Sequence, residues 1–564
     1  MSENAAARPV PVTYDQRGEP RWVSRMSPPD NSFAQCLMVP DRIIPVIFVP
    51  GVMGSNLIEK GAKEKEGVKW RLDGPDAAAA WAYPTRDAEF RKRYLRPEVM
   101  QVDAGGAIPA GTAQQAEELR RRGWGEVGAL SYAPFLVWLE NALNDFENPH
   151  PGERVKLLKD ELQAMVGEEL LSDQEVSLSY RYRFPVHACG YNWLGSNADA
   201  AALLGKRIDD VIRRYTAERK RCEKVIIVTH SMGGLVARHC SQVGDYEGKI
   251  FGVVHGVMPA IGAAAVYRRF KAGTENSGAG KGLNEQLKGW VATLALGSNA
   301  AEMTAVLSSA PGPLQLLPTP EYGNGWLKVK DGGQEFSFPQ KGDPYGEIYA
   351  VRGKWWSMCE DTLVNPMNRE RDPIKRQAKV DADRAKFENL IREEVKSFHV
   401  DIRGLYHATT HAFFGSHSDN RAYGNVTWTG SSGLSAATVF KDRKVDVLDA
   451  RPLTPAELKD QHRPEPEIHG TRTVDATYTD RSWFSHTQRR YYISEPDEDG
   501  DGTVPRRSGM APKAACKSLL QVNVGHEPAY KHGEGLDNLR ACRFTLRAIV
   551  KIAQNVQQTS LKYD

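Results

Sequence analysis

The sequence predicts an α/β fold, a mostly parallel sheet with helices on both faces, and three observations carry that prediction. The runs Ile43–Val49 and Val225–Val228 are short, apolar and rich in β-branched residues, and KIFGVVHGVMPAIGA (249–263) reads as the next buried strand. Without polar alternation, such runs mark strands covered on both faces. Residues 224–263 read as strand, glycine turn, helix and strand, a βαβ unit. The chain has 564 residues, 41% hydrophobic and 26% charged, a globular composition able to bury a large core.

The elements follow in order. Residues 1–40 are polar and rich in Pro and Arg and are expected to form an arm or edge segment. The strand at 43–49 ends on Pro50-Gly51 and enters a glycine-rich loop. AGGAIPAGTAQQAEELRRRG predicts a loop and then a helix, SYAPFLVWLENALNDF a helix, and EVSLSYRYRF (175–184) a strand by its alternation. In DAAALLGKRIDDVIRRYTAERK, Leu203, Leu204, Ile208, Val211, Ile212 and Tyr215 fall on one helical face. From 271 to 488 the pattern weakens, and this region is expected to be one cap or lid insertion. Regular structure is expected again at RRYYI (489–493), at SLLQVNV (518–524) and in a C-terminal amphipathic helix. The expected division is therefore an arm (1–40), a first core segment (41–270), the insertion (271–488) and a second core segment (489–564).

Charge and composition exclude several functions. Lys+Arg number 74 and Asp+Glu 71, a net charge of +3, so neither nucleic acid nor an anionic membrane patch is indicated as a partner. No run approaches the length of a membrane-spanning helix, and the N-terminus lacks a basic segment followed by an apolar one. The expected place of synthesis is the cytoplasm, without a Sec signal. The seven scattered cysteines read as reduced structural thiols. No cofactor and no metal is expected. His407, His411, His417 and Asp419 cluster without a clear fourth ligand, and are read as packed or solvent-facing cap residues. Asp497, Asp499 and Asp501 imitate the start of a calcium loop, but its twelfth position would be Ser508.

The chemistry is concentrated at Thr229-His230-Ser231-Met232-Gly233-Gly234, between a buried strand and a helix. A serine on a sharp strand-to-helix turn presents its hydroxyl above the sheet edge, and small neighbours are needed because the backbone folds back there. Gly233 meets that need downstream, whereas Thr229 departs from glycine upstream. His230 is read as shaping the turn rather than as the base. A serine nucleophile needs two oxyanion donors: Met232 N–H supplies one, and Val52, in the loop Pro50–Ser55, is the candidate for the other. It also needs an acid and then a base further along the chain. Asp501, in DEDGDGTVP, and His526, 25 residues later, fit that order at expected strand ends, with Asp499 and His532 as the alternatives. The pairs Trp355-Trp356, Phe413-Phe414 and Trp483-Phe484 read as core, a minority of them lining an acyl channel or an interfacial surface.

At these residues the chain resembles the lipase branch of the α/β-hydrolases. PVIFVPGVMGSNL, ACGYNW, GDGTVPRRS and GHE are similar to motifs of the lecithin–cholesterol acyltransferase and lysosomal phospholipase family, over roughly 42–265 and 490–555. The absence of a signal peptide and of an obvious disulfide pair, and the large insertion, make the chain look more like the bacterial type VI secretion phospholipase effectors. The resemblance implies an α/β-hydrolase fold with a large cap insertion. It implies Ser231, Asp501 and His526 as a triad, with Val52 and Met232 as oxyanion donors. It further implies phospholipase activity at a membrane surface, delivery into the periplasm of target cells, a cognate immunity protein and a secretion-spike partner. The rival readings are a non-lipid carboxylesterase or acyltransferase, and a binding protein on a degenerate hydrolase fold.

Overall fold

The computed structural model describes residues 6–24, 32–36, 38–62, 67–74, 77, 85–146, 152–167, 170–273, 297–431, 446–463, 467–480, 483–526, 529–530 and 535–563. Its centre is a six-stranded sheet of β1 (Val46–Val49), β2 (Val186–Ala188), β3 (Val225–His230), β4 (Ile250–Gly256), β5 (Thr410–Gly415) and β6 (Cys516–Val522). The spatial order is β6-β5-β4-β3-β1-β2, and every neighbouring pair is parallel.

Strand periodicity sends alternate side chains to opposite faces. Ile47, Val49, Val225 and Ile227 enter one apolar core, while Val46, Phe48, Ile226 and Val228 enter the other. Helices α2 (Asn197–Ala217) and α3 (Gly233–Gln242) cover the first face with Leu204, Ile208, Val211, Leu235 and Val236. Helices α1 (Ala129–Leu143) and α4 (Leu536–Ala553) cover the second with Phe135, Leu136, Leu139, Phe544 and Ile549. This is the expected sheet with helices on both faces, an α/β-hydrolase fold. At the periphery, residues 6–10 pair with 32–36, and Val12 and Tyr14 pack on Phe146.

Three expectations about the elements are corrected. Residues 175–184 do not form a strand: Asp173–Ser179 is a helix, because Ser172 and Glu175 close a capping box at its start. The segment 271–488 is not one insertion, since β5 lies inside it and occupies the middle of the sheet. The imidazole of His411 is accommodated in that strand by Ser518 Oγ of β6, 2.7 Å from its Nδ1. The strand containing RRYYI belongs elsewhere. Trp483–Ile493 joins a second, mixed sheet with Gln334–Phe338, Leu327–Asp331, Val426–Ser431, Thr471–Asp480 and Arg451–Pro452.

The second sheet packs on an aromatic core. Trp355 stacks on Tyr491 at 4.3 Å between ring centroids, and Trp428 Nε1 donates to Tyr267 Oη at 2.9 Å. Trp355, Trp356, Phe413 and Phe414 are all buried, so none forms a lipid-facing surface in this structure. The side chains of Trp483 and Phe484 lie outside the described residues. None of the seven cysteines is disulfide-bonded, and six are buried. Among the described residues, no helix is long and apolar enough to cross a membrane, and no group of three or more His, Cys, Asp or Glu could hold a metal ion. His407 Nδ1 accepts from Thr409 N–H, and His417 lies beside Asp419 on the surface.

Several histidines are buried as neutral rings. Burial lowers His255 to about 3 and His399 and His411 to about 4. An unfolded histidine titrates near 6.5. Below that pH the unfolded chain takes up protons that these rings refuse, so stability falls as pH drops. These rings should therefore leave the thermal midpoint steady between pH 7.5 and 6.5 and lower it progressively from pH 6.5 towards pH 4. A midpoint unchanged across that window in calorimetry would contradict the buried neutral rings.

Candidate active site

The turn after β3 holds Ser231 with φ of +51°, a left-handed conformation that a residue with a Cβ adopts only under constraint. The constraint is visible on both sides. Ser231 N–H extends the parallel ladder by donating to Gly256 O of β4 at 2.9 Å. Downstream, a Cβ on Gly233 would lie 2.5 Å from Val49 O and 2.6 Å from Pro50 O, so the helix start can close onto β1 only with glycine there. A Cβ on Gly234 would meet Met258 Sδ at 2.5 Å. Thr229, the departure from glycine, is engaged rather than merely tolerated. Its Oγ1 lies 2.9 Å from His255 Nδ1 on the adjacent strand, and its carbonyl accepts from Tyr530 Oη at 3.2 Å.

His526 follows β6, and its Nε2 is 2.8 Å from Ser231 Oγ. Its Nδ1 is 2.8 Å from Asp501 Oδ2. A carboxylate only accepts, so Nδ1 carries the proton, and Nε2 of the neutral ring accepts from the serine hydroxyl. Asp501 Oδ1 accepts from Thr503 N–H and Val504 N–H at 2.9 and 2.7 Å, which fixes the carboxylate plane. His526 N–H in turn donates to Asp501 O at 2.8 Å. Ser231, Asp501 and His526 are 3%, 3% and 7% exposed, so the line of three groups is shielded from bulk water. Asp501 rather than Asp499 is the carboxylate brought to His526. The carboxylate of Asp497 turns away to Gly424 N–H and to Asn425. His532 lies outside the described residues.

Asp501 is seated on the central sheet rather than on the sheet of Trp483–Ile493. A Cβ on Gly415, the last residue of β5, would be 2.5 Å from Asp501 Cβ, so Asp501 rests on the C-terminal end of β5. Residues 417–422 pair with 498–500 and hold the acid turn there.

The loop after β1 lies against the serine. A Cβ on Gly51 would be 2.9 Å from both Ser231 Cβ and His230 Nδ1. Gly54 N–H closes a turn onto Gly51 O at 3.1 Å, with Met53 at φ of +64°. Tyr191 Oη donates to Pro50 O at 2.9 Å, Tyr191 N–H to Ser55 Oγ at 3.0 Å, and Trp70 Nε1 to Met53 O at 3.1 Å. Val52 N–H and Met232 N–H have no protein acceptor among the described residues. Such an arrangement can deprotonate a serine, present it to a carbonyl and receive an oxyanion. Sequence reasoning missed Tyr132, His255 and Tyr530. No spacing rule links them to the serine, since Tyr132 and His230 are 98 positions apart.

A family model described as a PGAP1-like alpha/beta domain matches residues 195–268, which include Ser231. The crystal structure of a Tle4–Tli4 complex is similar over 91% of this chain and 98% of the matched chain, with 26% identity and a TM-score of 0.69. No curated protein matches the sequence. Both likenesses agree with an α/β-hydrolase fold and with the resemblance to type VI lipase effectors.

The close approach at Gly51 makes a sharp test. Gly51→Ala should slow fluorophosphonate labelling of Ser231 by tenfold or more, since displacement of about 1 Å at such a site can cost on the order of a hundredfold. Its melting temperature should stay near that of the parent chain. Labelling at the parent rate would show that the loop is not seated on the serine.

Proposed function

We propose that this α/β-hydrolase is a serine lipase that cleaves carboxylic esters of membrane phospholipids, and that it acts as an antibacterial effector delivered by a type VI secretion system into the periplasm of target cells. The observation that carries the catalytic part is the continuous line from Ser231 Oγ through His526 to Asp501, with 2.8 Å at each step. That line also argues against a non-catalytic binding protein, which would have no need to keep three buried polar groups in register.

In the proposed mechanism His526 Nε2 takes the proton of Ser231 as Oγ attacks the ester carbonyl. Asp501 holds the imidazole in the required tautomer and stabilises its cation. The N–H groups of Val52 and Met232 receive the negative charge that forms on the carbonyl oxygen. The imidazolium then returns its proton to the leaving alcohol, and the Ser231 acyl ester remains. Water, deprotonated by the same imidazole, attacks that ester and releases the fatty acid and free Ser231. No cofactor enters these steps.

Substrate and delivery rest on the likeness to a solved two-protein complex and on the motif resemblance. A two-protein assembly supports a cognate immunity protein, and a type VI route calls for a spike component. With a net charge of +3, no strong electrostatic attraction to anionic lipid is expected, so contact with a membrane would be peripheral and largely apolar.

Ser231→Ala should abolish fatty-acid release from phosphatidylethanolamine/phosphatidylglycerol vesicles without lowering the melting temperature, and Asp501→Asn should reduce it by on the order of ten-thousandfold. Full release by purified Ser231→Ala would remove the serine mechanism. Hydrolysis of short soluble esters with no release from vesicles would favour the carboxylesterase reading. Expressed with a periplasmic leader, the parent chain should arrest growth and Ser231→Ala should not. Equal toxicity of the two, or toxicity of the parent confined to the cytoplasm, would remove the effector reading.

A further inference from the structure

His230 precedes the nucleophile, yet neither of its ring nitrogens is directed at Ser231. Its Nε2 lies 2.9 Å from the backbone carbonyl of His526, and its Nδ1 lies 2.9 Å from Tyr132 Oη. A carbonyl only accepts, so Nε2 carries the proton of a neutral ring, and Nδ1 accepts from the tyrosine hydroxyl. Tyr132 Oη accepts in turn from Gly51 N–H at 3.1 Å. The direction of donation is consistent along the whole path, from Gly51 N–H to Tyr132, from Tyr132 to His230, and from His230 to the His526 carbonyl.

The two ends of that path are the two parts of the site that must agree in position. One is the loop carrying Val52, and the other is the backbone of the base. The bridge is rigid. Tyr132 and His230 are each 2% exposed, and Tyr132 packs edge-on against Phe48 with ring centroids 4.9 Å apart. A Cβ on Gly54 would meet Tyr132 Oη at 2.6 Å, so the tyrosine touches the loop at both ends of its turn. The bridge thus joins the loop and the base through side-chain hydrogen bonds on the sheet's edge.

We infer that Tyr132 and His230 are positioning residues that set the oxyanion loop and the His526 imidazole in register, so that anion stabilisation and proton transfer are lost together when the bridge breaks. The inference rests on the triad proposed above. It assigns His230 a role through its neighbours rather than as a base.

The test uses the full chain and p-nitrophenyl butyrate. Tyr132→Phe keeps the ring and removes only the hydroxyl. It should lower kcat by on the order of tenfold, with KM changed less than about twofold, because a misplaced loop acts on the transition state more than on ground-state binding. His230→Leu should lower kcat at least as far, and His230→Gln, which restores one donor and one acceptor, should recover part of the loss. The double variant Tyr132→Phe/His230→Leu should be no slower than the slower single variant, since residues of one network couple. Parent-like kcat in Tyr132→Phe, a change confined to KM, or fully multiplicative losses in the double variant would each overturn the bridge. If Ser231→Ala is inactive while Tyr132→Phe is unaffected, the bridge fails and the triad stands. If Ser231→Ala keeps its activity, the triad itself fails.

Discussion

The site depends on one steric constraint, the left-handed backbone at Ser231. A residue with a Cβ held at φ of +51° sits above its relaxed conformation by about 1–3 kcal/mol. It persists because its surroundings leave no alternative. The ladder bond from Ser231 N–H to Gly256 O fixes the turn from the β4 side, and the packing of Gly233 on the carbonyls of Val49 and Pro50 fixes it from the β1 side. The same packing brings the β1 loop into contact with the serine. The turn that presents the hydroxyl thus also determines where the β1 loop can stand. β1, β3 and β4 are adjacent in the sheet, so three neighbouring strand ends specify Ser231 and its surroundings.

Asp501 and His526 arrive from the other side of the sheet, and they are held by backbone as well as by side chains. His526 N–H donates to the Asp501 carbonyl, and its own carbonyl accepts from His230. The imidazole is therefore oriented by contacts on the main chain of its residue as well as on its ring. Such over-determination is what a proton-transfer group requires, because its geometry must be set before substrate arrives.

How much was legible follows from which forces are local. Val225–Val228 and Ile43–Val49 announce buried parallel strands because their apolar run is continuous, and the turn after Val228 announces itself through Gly233-Gly234. The candidates Ser231, Asp501 and His526 could be named from motif and order alone. β5 was hidden. THAFFG carries a histidine at its second position, and its polarity is offset by Ser518 on another strand. A local pattern cannot show a partner 107 positions away. The Asp501 turn follows the strand ending at Ile493 along the chain but rests on Gly415 in space. The helix at 173–179 is obscured in the sequence for a different reason. Alternation in EVSLSYRYRF imitates a strand, and the capping box Ser172–Glu175 outweighs it.

Thr229 shows how a departure from a motif can be offset by a contact outside it. Glycine two positions before the nucleophile is normally favoured because the turn is crowded. Here the side chain points to the neighbouring strand, where His255 Nδ1 lies within hydrogen-bond distance. Burial keeps His255 in its neutral form, so its ring can accept from the Thr229 hydroxyl without a charge being placed in the core. The carbonyl of Thr229 also accepts from Tyr530 Oη at 3.2 Å. Threonine therefore contributes a cross-strand bond at the point where β3 must turn, and its added bulk is directed away from the loop at Gly51. The residue that weakens the match to the sequence pattern is, in the folded chain, one of the contacts that hold the strand end in place.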